Sequence, residues 1–138
     1  MPMNPSPEPV TAMPELDANQ PLVDPARLRE LAQMAGPAES AKLLQELLEM
    51  FRTESIPHVA RLTAAWAGGD ATLARSEAHY LAGSSANLGL SRLAAGLREL
   101  EAMAREGRLP AYADLAGLLD QWLGEACTAY EKARTELA

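Results

Sequence analysis

Few side chains in this 138-residue chain could carry covalent chemistry: two histidines, His58 and His79, one cysteine, Cys127, and scattered serines and carboxylates. A single cysteine excludes an internal disulfide and a zinc site built on several thiolates. Cys127 sits in a helical pattern and reads as small core or boundary filler. Two histidines with no Glu-x-x-His spacing do not make a di-iron bundle, so no metal ligands are expected. No Gly-rich loop that could cradle the phosphates of ATP stands anywhere in the chain. The surroundings of the two histidines separate them.

At about 100° per residue, Leu73, Ala74, Ala78, Leu81, Ser84, Ser85 and Leu88 share one side of a helix over residues 72–88. His79 falls about 160° from the centre of that side, facing solvent or a partner. One turn away stand Arg75 and Ser76 before it and Ala82 and Gly83 after it, and Thr72 and Ala86 extend the same face. Apart from Arg75 these neighbours are small, which leaves the imidazole accessible to a bulky partner. Gly83 costs the helix about 0.5–1 kcal/mol relative to Ala, so a Gly here suggests a close approach to the backbone. The wheel alone also allows an ordinary exposed histidine beside a tolerated glycine. Arg75 is equally open, as a cation for the site or as a solvated surface charge. Ser84 and Ser85 are expected to be packing residues, and His58, after Pro57, to lie on the surface. Glu99, Glu101 and Glu106 among Arg92, Arg98 and Arg105 read as a solvated mixed-charge face.

The elements that must position His79 are helical throughout. Leu and Ala dominate a composition that is 48% apolar and only 4% aromatic, and no stretch alternates as a half-buried strand does. Residues 1–23, with Pro2, Pro5, Pro7, Pro9, Pro14 and Pro21 and no Lys or Arg, read as a disordered tail; residues 24–138 read as one domain. Asp24-Pro25 opens a short helix that stops at Gly36-Pro37. A second runs from about Ser40, kinked at Pro57, to Gly68-Gly69. Asp70 caps the helix of His79, which turns at Gly89. A fourth spans about Ser91–Glu106, with Leu93, Leu97, Leu100 and Ala104 on one stripe. A fifth opens at Pro110 and turns Leu115, Leu119, Trp122, Ala126, Tyr130, Ala133 and Leu137 inward. Short loops make neighbours antiparallel, so the expected fold is all-α: an up-down-up-down four-helix bundle with a short additional N-terminal helix.

Charge narrows the partners. The chain carries 12 basic and 19 acidic residues, net −7, with no cationic cluster for nucleic acid and a sign that an anionic membrane surface repels. No apolar run approaches a membrane span, and the first residues lack the basic and apolar regions of a signal peptide. The cytoplasm is the expected compartment.

The string His79-Tyr80-Leu81-Ala82-Gly83-Ser84-Ser85-Ala86-Asn87-Leu88-Gly89 closely resembles the phosphorylation motif of histidine-containing phosphotransfer (HPt) domains of two-component phosphorelays. The Leu-Val-Asp-Pro start, Phe51 ahead of Pro57 and the Leu-Arg-Glu-Leu-Glu run at 97–101 extend the resemblance over roughly residues 22–137. The resemblance implies a carrier and not a kinase. His79 would accept a phosphoryl group from the aspartyl phosphate of a receiver domain and pass it to another receiver's aspartate. The implied partners are response-regulator receiver domains and a hybrid sensor histidine kinase. No cofactor is needed on this chain, because Mg²⁺ is expected on the receiver. Imidazole suits the task, since its unperturbed pKa of about 6.5 leaves it largely neutral and nucleophilic at cellular pH. Arg75, Ser76, Ala82, Gly83 and Ala86 would form the docking and support face. Where the family motif has a Lys three residues after the His, this chain has Ala82. That departure keeps open a second function, a helical interaction module that binds a receiver or kinase without taking phosphate.

Overall fold

The computed structural model describes residues 12–137 and contains five helices: α1 (Pro25–Ala35), α2 (Ser40–Ala67), α3 (Ala71–Leu88), α4 (Ser91–Arg105) and α5 (Leu115–Glu136). Their boundaries follow local chemistry. The Asp24 side chain accepts from the Ala26 N–H and Pro25 occupies the first helical turn, where its missing donor costs nothing. Asp70 caps α3 by accepting from the Leu73 N–H. Gly89, at φ 89°, takes the left-handed conformation that ends α3 and turns the chain into α4. α2 passes through Pro57 as one 28-residue helix.

The start of α5 differs from expectation. Pro110 does not open it; Asp114 does, accepting from the Gly117 N–H at 2.9 Å. The Pro110 carbonyl instead accepts from the Trp66 indole at 2.8 Å, which fastens the α4–α5 connection to the end of α2. A side-chain cap satisfies an orphan helical donor, whereas Pro merely tolerates the first turn.

The helices pack around a leucine core. Leu28, Leu44, Leu48, Leu62, Leu81, Leu90, Leu93, Leu97, Leu100 and Leu119 are all but sealed from solvent. Tyr130 of α5 is wholly buried and donates to the Leu44 carbonyl of α2 at 3.1 Å. α3 has α4 packed along one flank and α2 along the other, while α5 rests mainly on α2. Of the residues expected to face inward on α5, Ala133 is half-buried and Leu137 exposed, because the helix overruns the bundle at its C-terminal end. The family resemblance and the fold agree: a four-helix bundle with an additional N-terminal helix.

Contact between α4 and α5 is thin, and residues 12–23 lie over it. They form no helix, but Leu16 is packed against the core. Arg92 of α4 binds the Gln20 and Ala18 carbonyls, and its N–H donates to the Pro21 carbonyl at 3.0 Å. A Cβ on Gly96 would collide with Leu16 and meet Trp122 at 3.0 Å, so the bare backbone there is what admits the segment. The expected disordered tail therefore gives way to a seated strap over residues 12–23, and its first eleven residues lie outside the described ones. Apolar Leu16 and the Arg92 anchor, on residues far apart in sequence, decide this against the local proline content. Among the described residues no helix is long and apolar enough to cross a membrane.

Candidate functional site

α3 is embedded on both flanks, and what remains open is a strip that includes Thr72, Arg75, Ser76, His79 and Gly83. The His79 side chain is 77% exposed. Its orientation is set from α4: the Nδ1–H donates to Glu101 Oε2 at 2.8 Å, and Arg105 Nη2 donates to the same oxygen at 3.1 Å. A carboxylate can only accept. The neutral imidazole must therefore carry its proton on Nδ1, leaving the Nε2 lone pair free at the exposed edge of the ring. Thr72, Arg75, Ser76, His79, Glu101 and Arg105 together line a shallow open depression.

Glu101 overturns its sequence reading. It is not part of a solvated face; its side chain is 9% exposed beneath His79 and Arg105. The i, i+4 spacing of Glu101 and Arg105 was visible in the sequence, but only the packing of α4 on α3 brings that pair under the imidazole. Arg105 is a second cation at the site beside Arg75. It stands in the depression with its guanidinium on the carboxylate that holds His79, whereas Arg75 lines the same depression and makes no ion pair among the described residues.

Ala82 is likewise not where the wheel puts it. It is buried in the core at 2% exposure, so it belongs to no docking face. The wheel treats the core as one direction, but two flanking helices widen the buried arc until it takes in Ala82 on one edge and Glu77 on the other. Ala86 is half-buried, as is Ser84, and Leu73 is exposed although the wheel sets it inward. Gly83 is exposed, and a Cβ placed on it would meet nothing within 4 Å. Ser85 is buried and donates to the Leu81 carbonyl, as a packing residue does.

His58 is not on the surface either. Its Nδ1 bonds Glu77 Oε2 at 2.5 Å, and Arg61 Nε donates to Glu77 Oε1 at 2.9 Å. The Glu77 side chain is 10% and the His58 side chain 20% exposed. Burial pushes the Glu77 carboxyl up, but hydrogen bonds from His58 and Arg61 outweigh it and hold the group below the usual carboxylate range. The Tyr80 ring stacks on His58 with centroids 3.7 Å apart. A largely apolar groove of about 640 Å³ lies between α2 and α5, lined by residues such as Phe51, Val59, Leu123 and Cys127, with Arg52 and Asp120 also on its walls.

A family model described as the Hpt domain matches residues 46–129, a span that contains His79, Glu101 and Arg105. The fold is similar to the crystal structure of histidine-containing phosphotransfer protein B from Pseudomonas aeruginosa PAO1. The TM-score is 0.67, with 29% sequence identity over 84% of this chain and 96% of that one. No curated protein matches significantly.

Proposed function

Since the chain belongs to the Hpt domain family, we propose that it is a cytoplasmic phosphorelay carrier whose acceptor is Nε2 of His79. The observation that carries this reading is the exposed imidazole with its Nδ1–H committed to buried Glu101. The donor is the aspartyl phosphate of a receiver domain, supplied in turn by a hybrid sensor kinase. The Nε2 lone pair forms the new N–P bond as the bond between phosphorus and the aspartyl oxygen breaks. The aspartate leaves as a carboxylate with the bonding pair. The ring gains positive charge, which the Glu101 carboxylate balances across the retained Nδ1 hydrogen bond. The reverse sequence delivers the group to a second receiver.

Such transfer needs positioning and charge stabilisation more than covalent machinery on this side. The Mg²⁺ and the acidic pocket belong to the receiver, and this domain presents a clean nucleophile beside Arg105 and Arg75. It needs no nucleotide, so ATP alone yields no phosphorylation.

The test is to mix the protein with phosphorylated receivers from the same genome and map acid-labile label. The expected result is phosphate on Nε2 of His79, lost in His79→Gln. Label on His58, label surviving His79→Gln, or binding of receivers with no label at all would overturn the reading; the last outcome would make the chain an interaction module.

A further inference from the structure

α3 is clasped twice. On its α4 flank a buried carboxylate, Glu101, takes the Nδ1–H of His79 and an arginine of the same helix, Arg105. On its α2 flank a second buried carboxylate, Glu77, takes Nδ1 of His58 and Arg61. The first clasp orients the proposed acceptor. The second orients no acceptor, because the His58 ring is mostly covered and lies against Tyr80.

Stability alone does not account for the second clasp. Burying a carboxylate is costly even when it is paired, and well-packed apolar side chains at such sites commonly hold a fold as well or better. What the clasp visibly does is fix one exposed ring. Glu77 sets the plane of the His58 imidazole, and that plane supports the Tyr80 ring at 3.7 Å with 19° between the planes. Tyr80 remains 40% exposed, and its hydroxyl takes part in no hydrogen bond among the described residues. It follows His79 directly in sequence. An aromatic side chain immobilised before binding loses little further entropy when a partner covers it, and such rings are favoured anchors of protein interfaces. The exposed charges that the two clasps contribute are guanidinium groups, Arg61 and Arg105, each with its carboxylate beneath the surface. In a chain of net charge −7, that arrangement suits a partner with an acidic pocket and a phosphoryl group.

Building on the carrier reading, we propose that Tyr80 is a docking residue for the receiver domain and that His58, held by Glu77, is the positioning residue that keeps the Tyr80 ring in place. The second histidine thus serves recognition and not phosphoryl transfer. Receivers that accommodate the ring would be preferred over those that do not, which makes Tyr80 a determinant of partner choice.

The experiment measures transfer rate against receiver concentration, using a receiver that labels wild-type His79. The proteins compared are wild type, Tyr80→Ala, Tyr80→Phe, His58→Ala, His58→Phe and the double alanine variant. Tyr80→Ala is expected to raise the half-saturating receiver concentration about tenfold, the usual scale for losing an aromatic anchor. The saturated rate should stay within about twofold, since nothing made only in the transition state is removed. His58→Ala should shift half-saturation in the same direction, and His58→Phe, which keeps a flat ring under Tyr80, should restore it. The double variant should be no worse than Tyr80→Ala, because the two side chains act as one unit. Tyr80→Phe should match wild type or nearly so. Unchanged half-saturation in Tyr80→Ala overturns the inference while leaving the carrier reading standing. So do independent, multiplying effects of the two alanine substitutions. Absence of any label on wild-type His79 removes the carrier reading and this inference together.

Discussion

An imidazole offers two nitrogens, and an attack is productive only when the free lone pair is on the one that faces the partner. Glu101 makes that choice for His79 by accepting from Nδ1 at 2.8 Å. The consequence is testable at one residue. Glu101→Ala should slow single-turnover transfer by about 10–100-fold, the range seen when the hydrogen-bond partner that orients a functional histidine is lost. It should do so without leaving a buried unpaired charge, because the partners left behind, His79 and Arg105, stay exposed to water. Glu101→Gln retains an acceptor oxygen and should fall between the two. Rapid-quench transfer assays alongside urea melts separate these effects, and a wild-type rate in Glu101→Ala would show that the tautomer is not set from α4. Arg105 stabilises the same carboxylate from an exposed position, where ion pairs contribute little; its weight should therefore appear in transfer and not in folding.

At the scale of the element, α3 has two kinds of small residue that look alike in sequence and behave oppositely. Gly83 faces open space. Gly83→Ala should stabilise the protein by up to about 1 kcal/mol, and Gly83→Leu should leave helicity intact while slowing transfer by obstructing the receiver. If Gly83→Leu transfers at the wild-type rate, the strip beside His79 is not the docking surface. Ala82, one position earlier, lies in the core at 2% exposure. Restoring a Lys there has to drive a long charged chain between packed helices. Ala82→Lys should therefore destabilise the fold, by about 1–3 kcal/mol as overpacking typically does, measurable as a lower urea midpoint at unchanged m-value. Unchanged stability with faster transfer would mean that the α3 flank opens enough for the Lys to reach the surface.

For the whole molecule, the closure of α5 onto α2 depends on Tyr130, whose phenol is buried and bonded to the Leu44 carbonyl. Burial pushes its pKa up to about 12. The folded state thus keeps a proton that the unfolded chain releases near pH 10. This contribution is fully present below pH 10 and is lost as pH rises from 10 through about 12. Tyr130→Phe should remove that part of the alkaline loss. At neutral pH it should cost about 1 kcal/mol for the missing hydrogen bond. Urea midpoints of both proteins between pH 8 and about 12 test this by difference, so other groups that titrate in the range cancel. Parallel curves across the window would show that the phenol is not the group responsible.

Local chemistry alone determined much of this protein. Asp24, Asp70 and Gly89 mark helix ends through interactions within a few residues. The leucine stripes of α2, α4 and α5 repeat at the helical period, so the helical class and most boundaries were legible. The exposure of His79 was legible too, because it follows from the periodicity of one short stretch. The tertiary structure decided whatever depended on which helix covers which flank. Glu101 and His58 read as surface groups because their own helices offer no reason to bury them. Glu101 is buried beside a partner 22 residues away on another helix, and His58 is partly covered beside one 19 residues away. Ala82 read as exposed because a single helix has one core direction, whereas α3 has neighbours on two sides. Residues 12–23 read as a tail because proline content says nothing about the gap at Gly96 that Leu16 fills. A linear sequence encodes periodicity and caps directly; the pairing of a buried charge with its partner exists only once the helices have packed.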